Sequence, residues 1–119
     1  MKYFFDTYTL LEIALQNKNF EKYVDADAIT LRTNLAELYF LLLKKFNQQT
    51  ADFFLRQFQS CAVDFPPDII APAMLFRHTQ KKHFSYIDCL GYAYALLNNC
   101  IFVTGDRAFQ KMKNVEIVR

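Results

Sequence analysis

A chain of 119 residues has room for one hydrophobic core of ordinary size and excludes a second. With 53% hydrophobic residues and only 2 Gly and 3 Pro, long disordered stretches are excluded too. The net charge of +2 permits a nucleic-acid partner without advertising one.

Tyr3-Phe4-Phe5 is a short aromatic run suited to a buried strand, and it stops at Asp6. Leu10, Leu11, Ala14 and Leu15 recur at helical spacing over 7–15. Asn17-Lys18-Asn19 breaks that helix, and a short one is expected around 20–24. Ala28-Ile29-Thr30-Leu31 reads as a second strand. Residues 34–46 and 48–60 read as two helices, the second amphipathic, with Phe53, Phe54 and Phe58 set against Asp52, Arg56 and Gln59.

Cys61-Ala62-Val63 is a third short strand, closed by Asp64 and Pro66-Pro67. A helix follows over 68–83, which Pro72 either kinks or delays. Residues 85–99 form a helix that is apolar almost all round. Ile101–Thr104 is a fourth strand, 107–112 a short helix and 115–118 a fifth strand. Strands alternating with helices imply one α/β domain over 1–119 with a parallel sheet covered on both faces. Ligands of such sheets bind outside the carboxyl ends of the strands, where strand order reverses. Asp6 ends the first strand and Asp106 follows the fourth.

Four of the 12 acidic residues stand in apolar company. Asp6 lies between Phe5 and Thr7-Tyr8, and Glu37 interrupts Leu35-Ala36 and Leu38-Tyr39-Phe40. Asp88 sits within Tyr86-Ile87-Asp88-Cys89-Leu90, and Asp106 follows Phe102-Val103-Thr104-Gly105. A carboxylate in such surroundings must be paired, hydrogen-bonded, protonated or bound to a cation. Four converging acids repel one another, and all-oxygen ligation favours Mg²⁺ or Mn²⁺ over Zn²⁺. Simple capping competes with this. Asn34 to Glu37 and Ser85 to Asp88 both have capping-box spacing, Asp6 suits a helix N-cap and Asp106 suits a turn. Capping explains each acid separately, but not all four in this order.

Arg77-His78-Thr79-Gln80-Lys81-Lys82-His83 is the one basic cluster, at an expected helix C-terminus where the dipole favours cations. An RNA-backbone contact is the other reading of it. Arg107 and Lys111 flank Asp106 and are better placed for such contacts. The histidines lack the spacing of a helical zinc pair, and no Ser or Cys motif suggests a triad. Tyr8 and Phe109 could stack on bases, although core packing suits both. Three cysteines without a CxxC pair fit reduced thiols. The start of the chain has no apolar signal core, and runs such as Leu38–Leu43 fall far short of the ~20 residues of a spanning helix. A soluble, cytoplasmic protein is expected.

Four segments carry a resemblance. They are Phe4-Phe5-Asp6-Thr7, Thr33-Asn34-Leu35-Ala36-Glu37-Leu38, Ser85-Tyr86-Ile87-Asp88 with Gly91 and Ala93 after it, and Phe102-Val103-Thr104-Gly105-Asp106. In this order they resemble the PIN (PilT N-terminus) domain family, small VapC-type toxins above all, over essentially the whole chain. Tyr8, Tyr39 and Tyr92 are bulkier than the family's usual residues, and Cys89 replaces a commoner Ala.

The resemblance implies a three-layer α/β/α fold around a parallel five-stranded sheet. It also implies a metal-dependent endoribonuclease acting on single-stranded RNA and leaving 5′-phosphate and 3′-hydroxyl ends. Asp6, Glu37, Asp88 and Asp106 would hold Mg²⁺ or Mn²⁺, with Thr104 and Thr7 orienting them and Arg107 and Lys111 touching RNA. A small antitoxin protein and a homodimer are implied as partners. A catalytically silent PIN-fold binding module is the alternative. A phosphoacceptor receiver domain, with Asp64 as acceptor, is a weaker one, because Asp6 is single and Arg119 stands where that fold usually has Lys.

Overall fold

The computed structural model describes residues 2–119. Its five strands are β1 (Tyr3–Phe5), β2 (Ala28–Leu31), β3 (Ala62–Val63), β4 (Ile101–Thr104) and β5 (Val115–Ile117). They form a single sheet in the order β3-β2-β1-β4-β5, and every pairing is parallel. The helices are α1 (Thr7–Ala14), α2 (Arg32–Lys45), α3 (Gln48–Phe58), α4 (Ile70–Thr79) and α5 (Tyr86–Leu97).

The period of two along a strand divides the aromatic run between two cores. Phe4 and Phe102 face one side, where they pack with Ala73 of α4 and with Cys89, Tyr92 and Ala95 of α5. Phe5 and Val103 face the other, with Leu10 of α1, Leu35, Leu38 and Leu42 of α2, and Ala51 of α3. Layers of helices thus cover both faces, as the alternating pattern implies. Phe4 and Phe102 stack at 5.6 Å between ring centroids, and Phe109 lies 4.9 Å from Phe102. Phe4, Phe102 and Phe109 are fully buried, each worth roughly 1.5–3 kcal/mol over exposure. Phe109 is therefore core and not a base-stacking face.

Several boundaries differ from the sequence expectation for identifiable reasons. Residues 18–23 form a 3-10 turn capped by the Asn17 side chain. Cys61 belongs to a 3-10 turn before β3. The expected 68–83 helix begins as a 3-10 turn at Pro67, becomes α-helical at Ile70 and ends at Thr79. Pro72 thereby stays in the first turn, where its missing N–H leaves no hydrogen bond unmade. Residues 107–112 shorten to a 3-10 turn at Arg107–Phe109. Among the described residues, no helix is long and apolar enough to cross a membrane.

The chain runs from β1 outward through β2 and β3, then returns to place β4 on the other side of β1. That reversal opens a crevice at the carboxyl ends of β1 and β4, into which Asp6 and Asp106 fall.

With only two glycines available, left-handed backbone falls to other residues: Gln16, Asn99, Lys111 and Asn114 have positive φ. Gln16, just past the end of α1, has φ 60°, a conformation that costs an L side chain roughly 1–2 kcal/mol. Gln16→Gly is expected to stabilise the protein by about 0.5–1 kcal/mol, after the greater chain entropy of glycine is offset. Urea unfolding measures this, and a loss of stability would show that the Gln16 side chain itself holds the turn.

Candidate active site

Asp6 leaves β1 with its backbone N–H still donating to Val103 O at 3.3 Å, so it remains tied to β4. Its Oδ1 accepts from Thr9 N at 2.8 Å, which makes it the N-cap of α1. Two buried hydroxyls pin the strand ends around it. Thr9 Oγ1 donates to Val103 O and Thr30 Oγ1 donates to Phe5 O, each at 2.7 Å.

Thr104, the last residue of β4, joins two of the acids. Its Oγ1 accepts from Asp106 N at 3.0 Å, and the same hydroxyl acts on the Asp6 carboxyl, lowering its pKa. Asp106 Oδ1 in turn accepts from Ala108 N at 2.9 Å and caps the 3-10 turn. Gly105 between them is dictated by a close approach. A Cβ there would lie 2.1 Å from the Tyr8 ring, so any side chain would expel that ring from the crevice.

Asp88 reaches the same crevice from α5. Ser85 Oγ accepts from Asp88 N and Asp88 Oδ2 accepts from Ser85 N, a complete capping box. Glu37 does not take the capping role that competed with the shared site in the sequence. α2 begins at Arg32 with Leu31 as N-cap and no side-chain cap, so Asn34 lies inside the helix and Glu37 in its second turn. Asn34 is buried and donates to Thr7 Oγ1 at 3.1 Å. That bond sets the start of α2 against the start of α1 and delivers Glu37, one turn on, to the crevice.

All four acids line one cleft of about 450 Å³, together with Thr7, Tyr8, Leu11, Leu41, Gly105 and Arg119. Arg119 is the one basic residue in that lining among the described residues, and it is not among the site residues expected from the sequence. Its position depends on the β4–β5 pairing and on Asn19 Nδ2, which donates to Arg119 O at 2.6 Å. Nothing local in the sequence marks it. Arg107 and Lys111 are exposed and lie outside the cleft lining.

The sequence profile of the PIN domain matches residues 3–115. The chain belongs to the PIN domain family. A comparison with curated proteins finds no significant match. Among solved structures, this PIN domain is similar to the toxin VapC20 of Mycobacterium tuberculosis, described as cleaving the sarcin–ricin loop. The TM-score is 0.82 at 14% identity, over 98% of this chain and 99% of that one. It is also similar to VapBC2 of Rickettsia felis, solved with a DNA fragment from its promoter, with TM-score 0.80 and 17% identity over the whole of both chains. A toxin–antitoxin complex from Klebsiella pneumoniae aligns at TM-score 0.76 and 18% identity, over 96% and 95% of the two chains. At these identities the likeness is one of fold.

The electrostatics of this PIN domain centre on Asp6, which is only 5% exposed. Burial pushes its carboxyl up to about 6, hydrogen bonds with Thr104 and Thr9 partly offset this, and Asp88 adds repulsion. Asp88 is raised for the same leading reason, with Ser85 opposing and Asp106 reinforcing. Neither has a salt-bridge partner among the described residues.

The donor set suits a hard divalent cation, being carboxylate oxygens without thiol or imidazole. Among the described residues, no three His, Cys, Asp or Glu side chains stand gathered as a ready-made metal cage. Asp88 and Asp106 each commit one oxygen to a cap and retain the other.

A carboxyl raised in the folded state penalises folding above that pKa and not below the unfolded value near 3.8. The Asp6 penalty is therefore absent near pH 3, grows from about pH 4 and is complete above about pH 6, reaching roughly 3 kcal/mol. Asp6→Asn, which preserves the cap, is expected to stabilise the protein in EDTA at pH 7.5, with the advantage vanishing toward pH 4. Saturating Mg²⁺ or Mn²⁺ should raise the wild-type melting temperature and remove that advantage. A mutant less stable than wild type in EDTA at both pH values would contradict this reading of Asp6.

Proposed function

We propose that this PIN domain is a divalent-metal-dependent endoribonuclease that hydrolyses phosphodiester bonds in single-stranded RNA and acts in the cytoplasm as the toxin of a toxin–antitoxin pair. The observation that carries the reading is the convergence of four carboxylates in one open cleft at the switch point, one of them buried and without a salt-bridge partner among the described residues. Family membership and the named toxins among its structural relatives support the same class.

In this reading Asp6, Glu37, Asp88 and Asp106 hold Mg²⁺ or Mn²⁺. When bound, the cation lowers the pKa of a water and neutralises charge developing on the phosphate. The chain's own residues do the remaining work. Thr104 keeps Asp6 and Asp106 in fixed relation, and the Asn34–Thr7 bond keeps Glu37 facing them. Arg119 offers the cleft its one cation for a phosphate oxygen. Arg107 and Lys111 meet backbone phosphates beyond the cleft. Tyr8, half-buried with its ring against Gly105, offers a face for a base. Water oxygen attacks phosphorus and the 3′-oxygen departs with a proton, so the products carry 5′-phosphate and 3′-hydroxyl ends.

The partner of this toxin would be a small antitoxin protein that occludes the cleft, and the family resemblance adds a homodimer. A catalytically silent module is the second reading, favoured by the acids standing apart instead of as a ready-made cage.

Purified protein with Mn²⁺ or Mg²⁺ is expected to cleave RNA at single-stranded positions, and EDTA should stop it. Asp6→Asn should reduce cleavage to background while the protein stays folded. Thr104→Val should cost about 10–100-fold, the usual effect of removing a group that orients metal ligands. Arg119→Ala should raise KM more than it lowers kcat. Cleavage undiminished in Asp6→Asn would point to a contaminating nuclease and leave the silent module standing.

A further inference from the structure

The loop between α4 and α5 carries a second pocket, of about 310 Å³, whose lining includes Arg77, His78, Lys81, Lys82 and His83 and, among the described residues, no acid. The helix dipole accounts for only part of this cluster. Arg77 and His78 lie in the last turn of α4, but Lys81, Lys82 and His83 come after the helix has ended at Thr79. The two ion pairs among the described residues, Lys22–Glu116 and Arg32–Asp64, involve none of the five. A chain of net charge +2 thus concentrates unpaired positive charge in one seven-residue stretch, at an energetic cost that an anionic ligand would relieve.

The stretch is also held in shape. Arg77 Nε donates to Phe84 O at 3.0 Å, and the guanidinium lies 4.2 Å from the centroid of the Tyr86 ring. Tyr86 is 61% exposed, so one ring face holds the arginine while much of the ring stays open to solvent. Lys82 Nζ donates to Ala108 O at 3.0 Å, and Ala108 N is the group that Asp106 caps. On its other flank the loop runs directly into the Ser85–Asp88 capping box. The basic pocket is therefore tied by a hydrogen bond to the turn that Asp106 caps, and by the chain itself to the turn that carries Asp88.

We propose that this basic pocket and the Tyr86 ring form a secondary subsite for the RNA strand, gripping a backbone phosphate and an unstacked base beside the nucleotide held in the acidic cleft. The inference rests on the ribonuclease reading and adds to it where the strand leaves the cleft. Phosphate is the ligand that compact, flexible ammonium groups and a braced guanidinium suit, and an open aromatic face beside them suits a base. An acidic protein surface would use the charges but not the ring.

Fluorescence anisotropy of a labelled single-stranded oligoribonucleotide, with the full chain in EDTA, tests the proposal independently of cleavage. Lys81→Ala/Lys82→Ala should weaken binding about tenfold and flatten the slope of log affinity against log salt by about 1.4, the loss of two phosphate contacts on a single strand. Lys44→Ala/Lys45→Ala, on the exposed end of α2, should change neither. Tyr86→Ser should weaken binding without altering the salt slope. In cleavage assays with Mn²⁺, Lys81→Ala alone, which leaves the Lys82–Ala108 bond in place, should raise KM for the oligoribonucleotide more than it lowers kcat.

Unaltered affinity and slope in Lys81→Ala/Lys82→Ala would overturn the subsite, and Asp6-dependent cleavage by the wild type would spare the ribonuclease reading. Normal RNA binding that depends on Lys81 and Lys82, without any Asp6-dependent cleavage, would do the reverse. Poly-glutamate displacing RNA as well as unlabelled RNA does would overturn the subsite in favour of an acidic-protein surface.

Discussion

A carboxylate with almost no access to water must be stabilised by its surroundings or give up its charge, and Asp6 places that demand at the centre of this fold. The parallel pairing of β1 with β4 fixes its backbone, the first turn of α1 supplies one N–H, and Thr104 supplies a hydroxyl. These contacts soften the penalty of burial without cancelling it, since the carboxyl is still pushed up to about 6. What remains unmet is positive charge. The fold then sets three further acids around the same opening and lines it with a single arginine. Destabilisation held at one point in this way is characteristic of functional sites.

The capping roles and the shared cleft are two aspects of one arrangement. Asp6, Asp88 and Asp106 each cap a helix or turn, and a cap necessarily points its acid to where a new element begins. In a doubly wound sheet, elements begin at the carboxyl edge of the strands. Capping therefore gathers these three acids at the switch point and orients them with backbone N–H groups. Glu37 arrives differently, carried on the second turn of α2 by the buried Asn34–Thr7 bond.

Strands β1, β2 and β4 were legible to the residue, because short aromatic or β-branched runs bounded by polar residues admit little else. The four acids were legible as residues out of place in apolar company. Asn34 is ambiguous in the sequence, because Asn followed three residues later by Glu matches a capping box wherever it falls. Only the helix's true start at Arg32 removes that reading. Arg119 carried no signal, since it joins the cleft through β5 and a bond to Asn19 one hundred residues away. The ends of α4 and the brevity of the turn after Asp106 were likewise beyond local pattern. Tertiary contacts such as the Phe84–Phe109 packing at 4.4 Å set where those segments lie.

Whether these four carboxylates form one cation site can be read from anomalous scattering by crystals grown with Mn²⁺. A peak is expected in the cleft, roughly 2.0–2.3 Å from an oxygen of Asp6 and from at least one of Asp88, Asp106 and Glu37. Crystals with ample Mn²⁺ but no peak in the cleft, or with Mn²⁺ bound only elsewhere, would contradict a shared cation site.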